Sequence, residues 1–170
     1  VLGSTNMTEF AFSGLGINPH YGTPLGPFER SAGRIPGGSS SGAAVSVSDG
    51  MAAAAIGTDT GGSVRIPAAF CGLTGYKPTA ARIPNQGLVT LSSSLDSIGP
   101  IGHRVTCCAW LDAIMSGELV PNIRNRSVSS LVLAKPRQVV FDQVEPIVMQ
   151  AFIQACEALQ QAGAKIEEID

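Results

Sequence analysis

Residues 37–44 read GGSSSGAA and residues 57–68 read GTDTGGSVRIPA, and these two stretches dominate the first half of the sequence. The three serines of the first stretch carry oxygens suited to cap the helix that the following small residues predict, running through Ala43, Val47 and Met51. In the second stretch, residues 60–63 have no bulky side chain to shield their amides. Successive N–H groups of this kind converge on an anion, as in an oxyanion hole. The pattern predicts an anion-binding loop that ends at a serine placed as a nucleophile.

A serine hydroxyl is a weak nucleophile at neutral pH and needs a base. The sequence has two histidines, His20 and His103, and neither lies in a stretch with catalytic features. Lysine also activates serine in some hydrolases, and this chain has Lys77, Lys135 and Lys165. The residues alone therefore leave the base unassigned.

Three other interpretations of the glycine- and serine-rich stretches are disfavoured. Residues 38–42 match the G-x-S-x-G nucleophile elbow with Ser40 at its centre, but that motif needs an apolar strand before it, and residues 31–36 are no strand. A phosphate-binding loop at the start of a helix is disfavoured because the sequence has neither the lysine of a P-loop nor the glycine spacing of a dinucleotide-binding motif. A turn without chemistry explains either stretch alone but not both in one chain.

The composition predicts a folded domain and argues against several classes of partner. Apolar residues make up 44% of the sequence and charged residues 14%, with a net charge of −2. Because basic residues form no cluster, we expect no direct nucleic-acid binding and no anionic membrane surface as partner. No apolar run reaches the length of a membrane span. The cysteines lack paired metal spacing, so we expect no metal site and reduced thiols in a cytoplasmic protein.

The last third of the sequence is typical of a strand–helix–strand unit. Residues 131–134 form a short apolar run, as in a strand covered on both faces. Pro146 suits the first turn of a helix, and Gly163 suits its left-handed end. Residues 166–169 begin the next strand, so we expect a parallel pair with a right-handed crossover. Such a pair is not a complete sheet, and its neighbouring strands must come from elsewhere. One face of the helix has apolar residues at helical spacing: Val148, Phe152, Ala155 and Leu159.

These ordered motifs resemble those of the amidase-signature family of amide hydrolases. The resemblance rests on GGSSSGAAV and on GTDTGGSVRIPAAFCGLTGYKPT at 57–79. GSTNMTEFAFSG and NPHYGTP upstream and LDSIGPIGHRV downstream extend it over essentially the whole sequence. The resemblance implies an α/β fold in which helices sandwich a mixed β-sheet. Residues 1–170 would form the central part of a single domain.

The resemblance also implies a mechanism, in which a Ser–cis-Ser–Lys triad hydrolyses a carboxylic amide to an acid and an amine or ammonia. Ser63 would be the nucleophile that forms an acyl-enzyme. Ser39, held by a cis peptide bond after Gly38, would transfer the proton. Asp59 and Arg65 would brace the nucleophile loop by a salt bridge, or Arg65 would line the pocket. No cofactor or metal is implied. The oxyanion hole would consist of four consecutive backbone amides: Thr60, Gly61, Gly62 and Ser63.

The catalytic lysine of the family lies further upstream of the bridging serine than the 38 residues that precede Ser39. Lys77 matches a different family position, so the resemblance assigns no lysine of this chain to the triad. We therefore expect an internal part of a longer protein, without the lysine segment and the C-terminal part. These 170 residues alone should be inactive.

Two alternatives to an independent amidase stay open on the sequence. One is the amidase subunit of a glutamyl-tRNA amidotransferase, which releases ammonia from glutamine for a partner protein. The other is a non-catalytic binding protein derived from the family. The expected partner of the enzyme is a small-molecule amide substrate, and a homo-oligomer remains an open option.

Overall fold

A computed structural model of the chain describes residues 1–121, 123, 126–138 and 140–170. The chain divides into two compact units, Val1–Ile123 and Arg124–Asp170. The placement of residues 1–170 in one domain stays a prediction. Within the described ranges, no helix is both long and apolar enough to cross a membrane.

The first unit contains a three-stranded antiparallel sheet in the order β1-β3-β2. Strand β1 (Ala54–Asp59) pairs with β3 (Ser97–Gly102) over their whole length, so that Asp59 lies opposite Ser97. The short strand β2 (Thr74–Gly75) pairs with β3 on its other edge. The β1–β3 pairing therefore fixes where the chain after β1 and the chain before β3 meet.

Helices α1 (Ser41–Ser48), α2 (Arg65–Phe70) and α3 (Val105–Ser116) pack on this sheet. Because α1 exposes small side chains to the sheet, the helix backbone can approach it closely. The resulting core consists mainly of small side chains. Val64, in the connection between β1 and α2, belongs to it. The buried core cluster consists of Ala43, Ala44, Val45, Val64, Ala68, Cys71 and Ile101.

Helix α1 is shorter than the sequence pattern predicts. It ends at Ser48, and Met51, which the pattern places on the helix, lies beyond its end with 73% of its surface exposed. Gly50 has a φ of 72°, its amide donates to Val47 O, and the Met51 amide donates to Ser46 O. This is a Schellman motif, in which a left-handed glycine ends the helix.

The second unit is a parallel pair of strands joined by a helix, as predicted. Strand β4 (Val132–Pro136) pairs with β5 (Lys165–Ile169), and α4 (Pro146–Gln161) connects them. Gly163 follows α4 with a φ of 100°, and its amide donates to Gln160 O at 2.9 Å. The predicted left-handed end of this helix is therefore confirmed.

The described part of the chain does not bury this unit, and its predicted burial stays a prediction for the full-length protein. Helix α4 contains no buried residue, and Val148 on its predicted apolar face is 56% exposed. Val132 in β4 is 64% exposed, although the sequence predicts a strand covered on both faces. The physical reason is that β4 and β5 form a two-stranded sheet in the described part of the chain, which is too small to cover either face.

Candidate active site

The predicted nucleophile loop connects a strand to a helix. Strand β1 ends at Asp59, and α2 begins at Arg65, so residues 60–64 form the connection. Asp59 is fully buried, and Ser63 is 8% exposed. The loop therefore buries the anchoring carboxylate fully and leaves only a small part of Ser63 accessible.

The two serine-containing stretches meet in the structure. The Ser40 amide donates to the Ser63 carbonyl at 3.2 Å. Ser40 Oγ accepts a hydrogen bond from the Thr58 amide at 3.3 Å and lies 3.5 Å from Thr58 O. A Cβ on Gly57 would collide with the Ser40 side chain, so this close contact between the chains requires glycine. Two motifs that are distant in sequence thus form one cluster.

The prediction that these serines cap α1 is wrong. Ser40 occupies the N-cap position, but its side chain makes no capping hydrogen bond. Its hydroxyl bonds β1 instead, and Ser41 Oγ donates to Asn6 O at 3.4 Å. Both hydroxyls join segments that are far apart along the chain, and a local pattern of capping residues cannot show such contacts.

Ser39 differs from Ser40 and Ser41 in that its buried hydroxyl has no hydrogen-bond partner within the described residues. Its residue surface is fully buried, and the Gly38–Ser39 peptide bond is cis, as the resemblance implies. Its carbonyl accepts hydrogen bonds from the amides of Thr8 at 3.0 Å and Ser41 at 2.8 Å. Its hydroxyl has no hydrogen-bond partner within the described residues. Since a buried unpaired hydroxyl costs about 1–3 kcal/mol, a fixed backbone with a free hydroxyl fits a group that exchanges protons.

The Asp59 carboxylate organises the nucleophile loop. Its Oδ1 accepts from the Gly62 amide at 2.7 Å, and its Oδ2 accepts from the Val64 amide at 3.2 Å. Arg65 binds both oxygens, with Nε 3.0 Å from Oδ2 and an Nη 3.0 Å from Oδ1. The salt bridge that the resemblance implies is present, and the same carboxylate also fixes two amides of the loop.

The electrostatics keep this pair charged. Burial alone would raise the pKa of the Asp59 carboxyl, but hydrogen bonds from Arg65, Val64 and Gly62 lower it below its ordinary value. The hydrogen bond with Asp59 raises the pKa of Arg65. Asp59 is therefore a carboxylate at neutral pH and acts as an acceptor for the loop amides.

The four amides predicted for an oxyanion hole are not equivalent in this structure. The Gly62 amide points at Asp59, whereas the amides of Gly61 and Ser63 donate to no acceptor in the part of the chain that the structure describes. No atom lies within 4 Å of the position that a Gly61 Cβ would occupy. Gly62 has a φ of 133°, which favours glycine. Of the four predicted amides, those of Thr60, Gly61 and Ser63 have no acceptor in the described part of the chain and are available to an external oxygen.

Sequence reasoning assigned no role to Asp96, which contacts this loop directly. Thr60 Oγ1 donates to Asp96 Oδ1 at 2.5 Å. Asp96 Oδ2 accepts from the amides of Leu91 at 2.8 Å and Ser92 at 3.0 Å, and the residue is 3% exposed. Burial would raise the pKa of Asp96, but these hydrogen bonds lower it. Its place in LDSIGP, which the resemblance includes, was the available signal.

Other reactive side chains are placed outside this cluster. Lys77 Nζ donates to Ser97 Oγ and to Pro78 O, each at 3.0 Å, and so is engaged at the start of β3. Cys71 is buried, and burial raises the pKa of its thiol to about 11, so the thiol is not an activated nucleophile. His20 and His103 are exposed. Within the described residues, none of these four side chains is hydrogen-bonded to Ser39 or Ser63.

The chain belongs to the amidase family, whose model matches residues 1–170. It is 42% identical over 168 residues to 2-amino-5-chloromuconic acid deaminase of Comamonas testosteroni, in an alignment that covers 98% of this chain and 36% of that protein. It is 39% identical over 181 residues to a glutamyl-tRNA(Gln) amidotransferase subunit of Chromohalobacter salexigens, across 99% of this chain and 37% of that protein. The chain thus spans little more than a third of the length of these relatives.

Solved structures show the same fold. The crystal structure of an amidase superposes with a TM-score of 0.86 at 35% identity, covering 96% of this chain and 37% of that chain. The corresponding glutamyl-tRNA(Gln) amidotransferase subunit of Thermotoga maritima superposes with a TM-score of 0.86 at 37% identity, covering 98% of this chain and 39% of that chain. The α/β amidase-signature fold that the resemblance implies is therefore confirmed.

Proposed function

We propose that the full-length protein containing this chain is an amidase that hydrolyses a carboxylic amide through an acyl-enzyme on Ser63. The observation that carries the proposal is the junction of the two serine stretches, where the Ser40 amide donates to the Ser63 carbonyl at 3.2 Å. This bond joins the backbone next to Ser39 to the backbone of the nucleophile itself. Membership of the amidase family supports amide C–N bonds as the substrate class.

In the proposed reaction, Ser63 Oγ attacks the amide carbonyl carbon while its proton passes to Ser39 Oγ. Ser39 in turn gives its own proton to a lysine supplied by the full-length protein. The unpaired, buried hydroxyl of Ser39 supports this relay, because no bond within the described residues has to be broken first.

The carbonyl oxygen becomes an oxyanion in the tetrahedral intermediate and needs hydrogen-bond donors. We assign the free amides of Gly61 and Ser63 to it, with that of Thr60 as a further donor; the Gly62 amide, the fourth of the predicted set, is bound to Asp59. Collapse of the intermediate breaks the C–N bond, and the leaving amine takes the proton back through Ser39. Water then cleaves the acyl ester and regenerates the Ser63 hydroxyl.

Asp59 and Arg65 support this chemistry without touching the reacting atoms. The carboxylate holds the amides on both sides of Ser63, and Arg65 neutralises the buried charge through two hydrogen bonds. A loop held at these points needs little reorganisation when charge develops on the substrate.

A second candidate is the amidase subunit of a glutamyl-tRNA amidotransferase, favoured by relatives that are subunits of this enzyme at 37–50% identity. The substrate would then be glutamine, and the ammonia would go to a partner protein. The remaining alternative is a non-catalytic binding protein of the family. For either enzyme we propose a cytoplasmic location, no direct nucleic-acid or membrane contact and no cofactor, with homo-oligomerisation left open. The free thiols of all four cysteines support a reducing compartment.

The test is a screen of the full-length protein for ammonia or amine release from aliphatic, aromatic and peptide-terminal amides and from glutamine. Hydrolysis of simple amides supports the independent amidase. Activity restricted to glutamine, and raised by a co-expressed partner, favours the amidotransferase role. If the protein unfolds cooperatively but releases nothing from any of these amides, the enzyme proposal is contradicted and the binding protein is left.

A further inference from the structure

The carboxylate of Asp96 contacts Thr60, the first residue of the nucleophile loop, which directly follows Asp59 in the chain. We infer that Asp96 is a positioning residue, which holds Thr60 and thereby orients the Gly61 amide toward the oxyanion of the reaction. The inference rests on the proposed amidase function and adds a residue for which that function has no assigned role.

The strand register brings the two residues together. Asp59 at the end of β1 lies opposite Ser97 at the start of β3. The next residue of one strand, Thr60, and the preceding residue of the other, Asp96, therefore lie side by side just beyond the sheet. Their side chains meet in the hydrogen bond from Thr60 Oγ1 to Asp96 Oδ1 at 2.5 Å.

Asp96 is itself held in place. Its second oxygen accepts two backbone amides, from Leu91 and Ser92, and only 3% of the residue surface is exposed. Hydrogen bonds to a carboxylate are shorter and about twice as strong as those between neutral groups. A buried carboxylate with fixed partners is thus a rigid acceptor for the Thr60 hydroxyl.

The two carboxylates divide the loop between them. Asp59 binds the amides of Gly62 and Val64, whereas Asp96 binds the side chain of Thr60. Gly61 lies between these anchor points, has no side chain and has open space around it. Because glycine backbone torsions are permissive, the peptide between Thr60 and Gly61 can rotate once the Thr60 anchor is removed. That peptide carries the free Gly61 amide.

This geometry predicts an effect on the transition state rather than on substrate binding. A donor aimed at the oxyanion strengthens its bond only as charge develops on that oxygen. A misplaced donor should therefore lower the maximal rate constant of acylation and leave the half-saturating substrate concentration unchanged. Misplacement by about 1 Å can cost on the order of 100-fold, so a loss of about 10- to 100-fold is expected.

The experiment measures labelling of the full-length protein by a fluorophosphonate probe, whose phosphoryl oxygen takes the place of the oxyanion. The maximal labelling rate and the half-saturating probe concentration are determined for wild type, Thr60→Val, Thr60→Ser and the pair Thr60→Val with Asp96→Asn. Ser94→Ala is the control, because Ser94 is exposed and belongs to the segment next to Asp96. Thermal unfolding is followed for each variant.

We expect Thr60→Val to lower the maximal rate about 10- to 100-fold with half-saturation unchanged. Thr60→Ser should restore most of the rate, because it keeps the hydroxyl. Adding Asp96→Asn to Thr60→Val should change the rate by no more than about twofold, since the two residues act through one bond. Ser94→Ala should label like wild type.

Three results overturn the inference while leaving the amidase proposal intact. The first is rapid labelling of Thr60→Val at the wild-type rate. The second is a Thr60→Val protein whose half-saturating probe concentration rises while its maximal labelling rate is unchanged. The third is a Thr60→Ser labelling rate as low as that of Thr60→Val. If the folded wild type itself is not labelled, the proposed function fails, and this inference fails with it.

Discussion

The nucleophile loop region and the C-terminal strand–helix–strand unit differ in which groups they bury and which they expose. In the first, polar groups are buried: Ser39 and Asp59 have no exposed surface, and the Asp59 carboxylate is hydrogen-bonded within the loop. In the second, apolar groups are exposed: Ile147 of α4 is 73% exposed and Val132 of β4 is 64% exposed. The first region is fixed by hydrogen bonds between its own segments, whereas the elements of the second have no buried core within the described part of the chain.

The difference teaches that hydrophobic patterning and site construction are separate requirements. Local sequence signals are enough to specify β4, α4 and β5, which the structure has close to their predicted bounds. The site needs charges and amides at fixed distances. Asp59 fixes them by binding the amides of Gly62 and Val64 in the loop and the side chain of Arg65 at the start of α2. Changes in the two regions should therefore differ in kind and in size.

Removing the nucleophile should have the largest effect. Ser63→Ala in the full-length protein should reduce amide turnover by about 10⁶-fold, as expected for loss of a catalytic serine. Ammonia release measures the loss, and thermal unfolding should be unchanged because Ser63 Oγ makes no structural hydrogen bond within the described residues. Turnover within about tenfold of wild type would remove Ser63 from the mechanism.

Ser39→Ala should have the next largest effect. Loss of the proton relay should slow acylation by about 10²- to 10⁴-fold, the usual size of general acid–base catalysis. The fold should persist, because the Ser39 hydroxyl has no partner to lose within the described ranges. Burst kinetics with an activated ester would measure acylation separately from deacylation. A near-normal acylation rate would show that another group transfers the proton.

The Asp59 network should dominate stability in the first unit. Asp59→Asn should lower the free energy of unfolding by about 3 kcal/mol, because buried amides lose a charged acceptor. Arg65→Gln should cost less than Asp59→Asn, because half of the Arg65 side chain is exposed and the carboxylate keeps its hydrogen bonds from the Gly62 and Val64 amides. Chemical denaturation of the full-length protein compares the two. Equal losses would contradict a role of Asp59 as the loop's acceptor.

Acid should remove the same stabilisation. The pKa of Asp59 is lowered in the folded state from an ordinary value of 3.8, so its contribution is complete above that pH and is lost as the pH falls toward the folded value. Wild type should therefore lose more unfolding free energy below about pH 4 than Asp59→Asn does. Parallel acid profiles for the two proteins would show that Asp59 contributes no pH-dependent stability.

The smallest effect tests the comparison between the regions directly. Val47→Ala in α1 should cost about 2 kcal/mol, because the side chain is fully buried. The same change at Val148 in α4 should cost less than about 0.5 kcal/mol, because that side chain is 56% exposed. Equal costs in the denaturation experiment would show that the apolar face of α4 is covered in the full-length protein.

Much of the fold could be predicted because its signals are local. Pro146 and Gly163 mark the ends of α4, and the apolar run at 131–134 marks the strand before it. The resemblance supplied the family and the paired serines. Helix α1 was predicted too long, because its end depends on Gly50 taking a left-handed conformation that apolar spacing does not encode.

The internal contacts of the site could not be predicted from local patterns. Ser40 has the identity of a helix cap but bonds β1, and Asp96 joins the site only because the register of β1 and β3 places it beside Thr60. Likewise, Gly62 is one of four similar amides in sequence, and only the position of the Asp59 carboxylate separates it from Gly61. Each case depends on long-range geometry.

The central claim is that Ser63 is an activated nucleophile, and one measurement tests it most directly. The full-length protein is treated with a fluorophosphonate probe, and the labelled peptide is mapped by mass spectrometry. The account predicts a single adduct on Ser63 that is lost when the upstream lysine expected of the triad is replaced. No adduct on the folded protein, or an adduct on another serine such as Ser40, would contradict it.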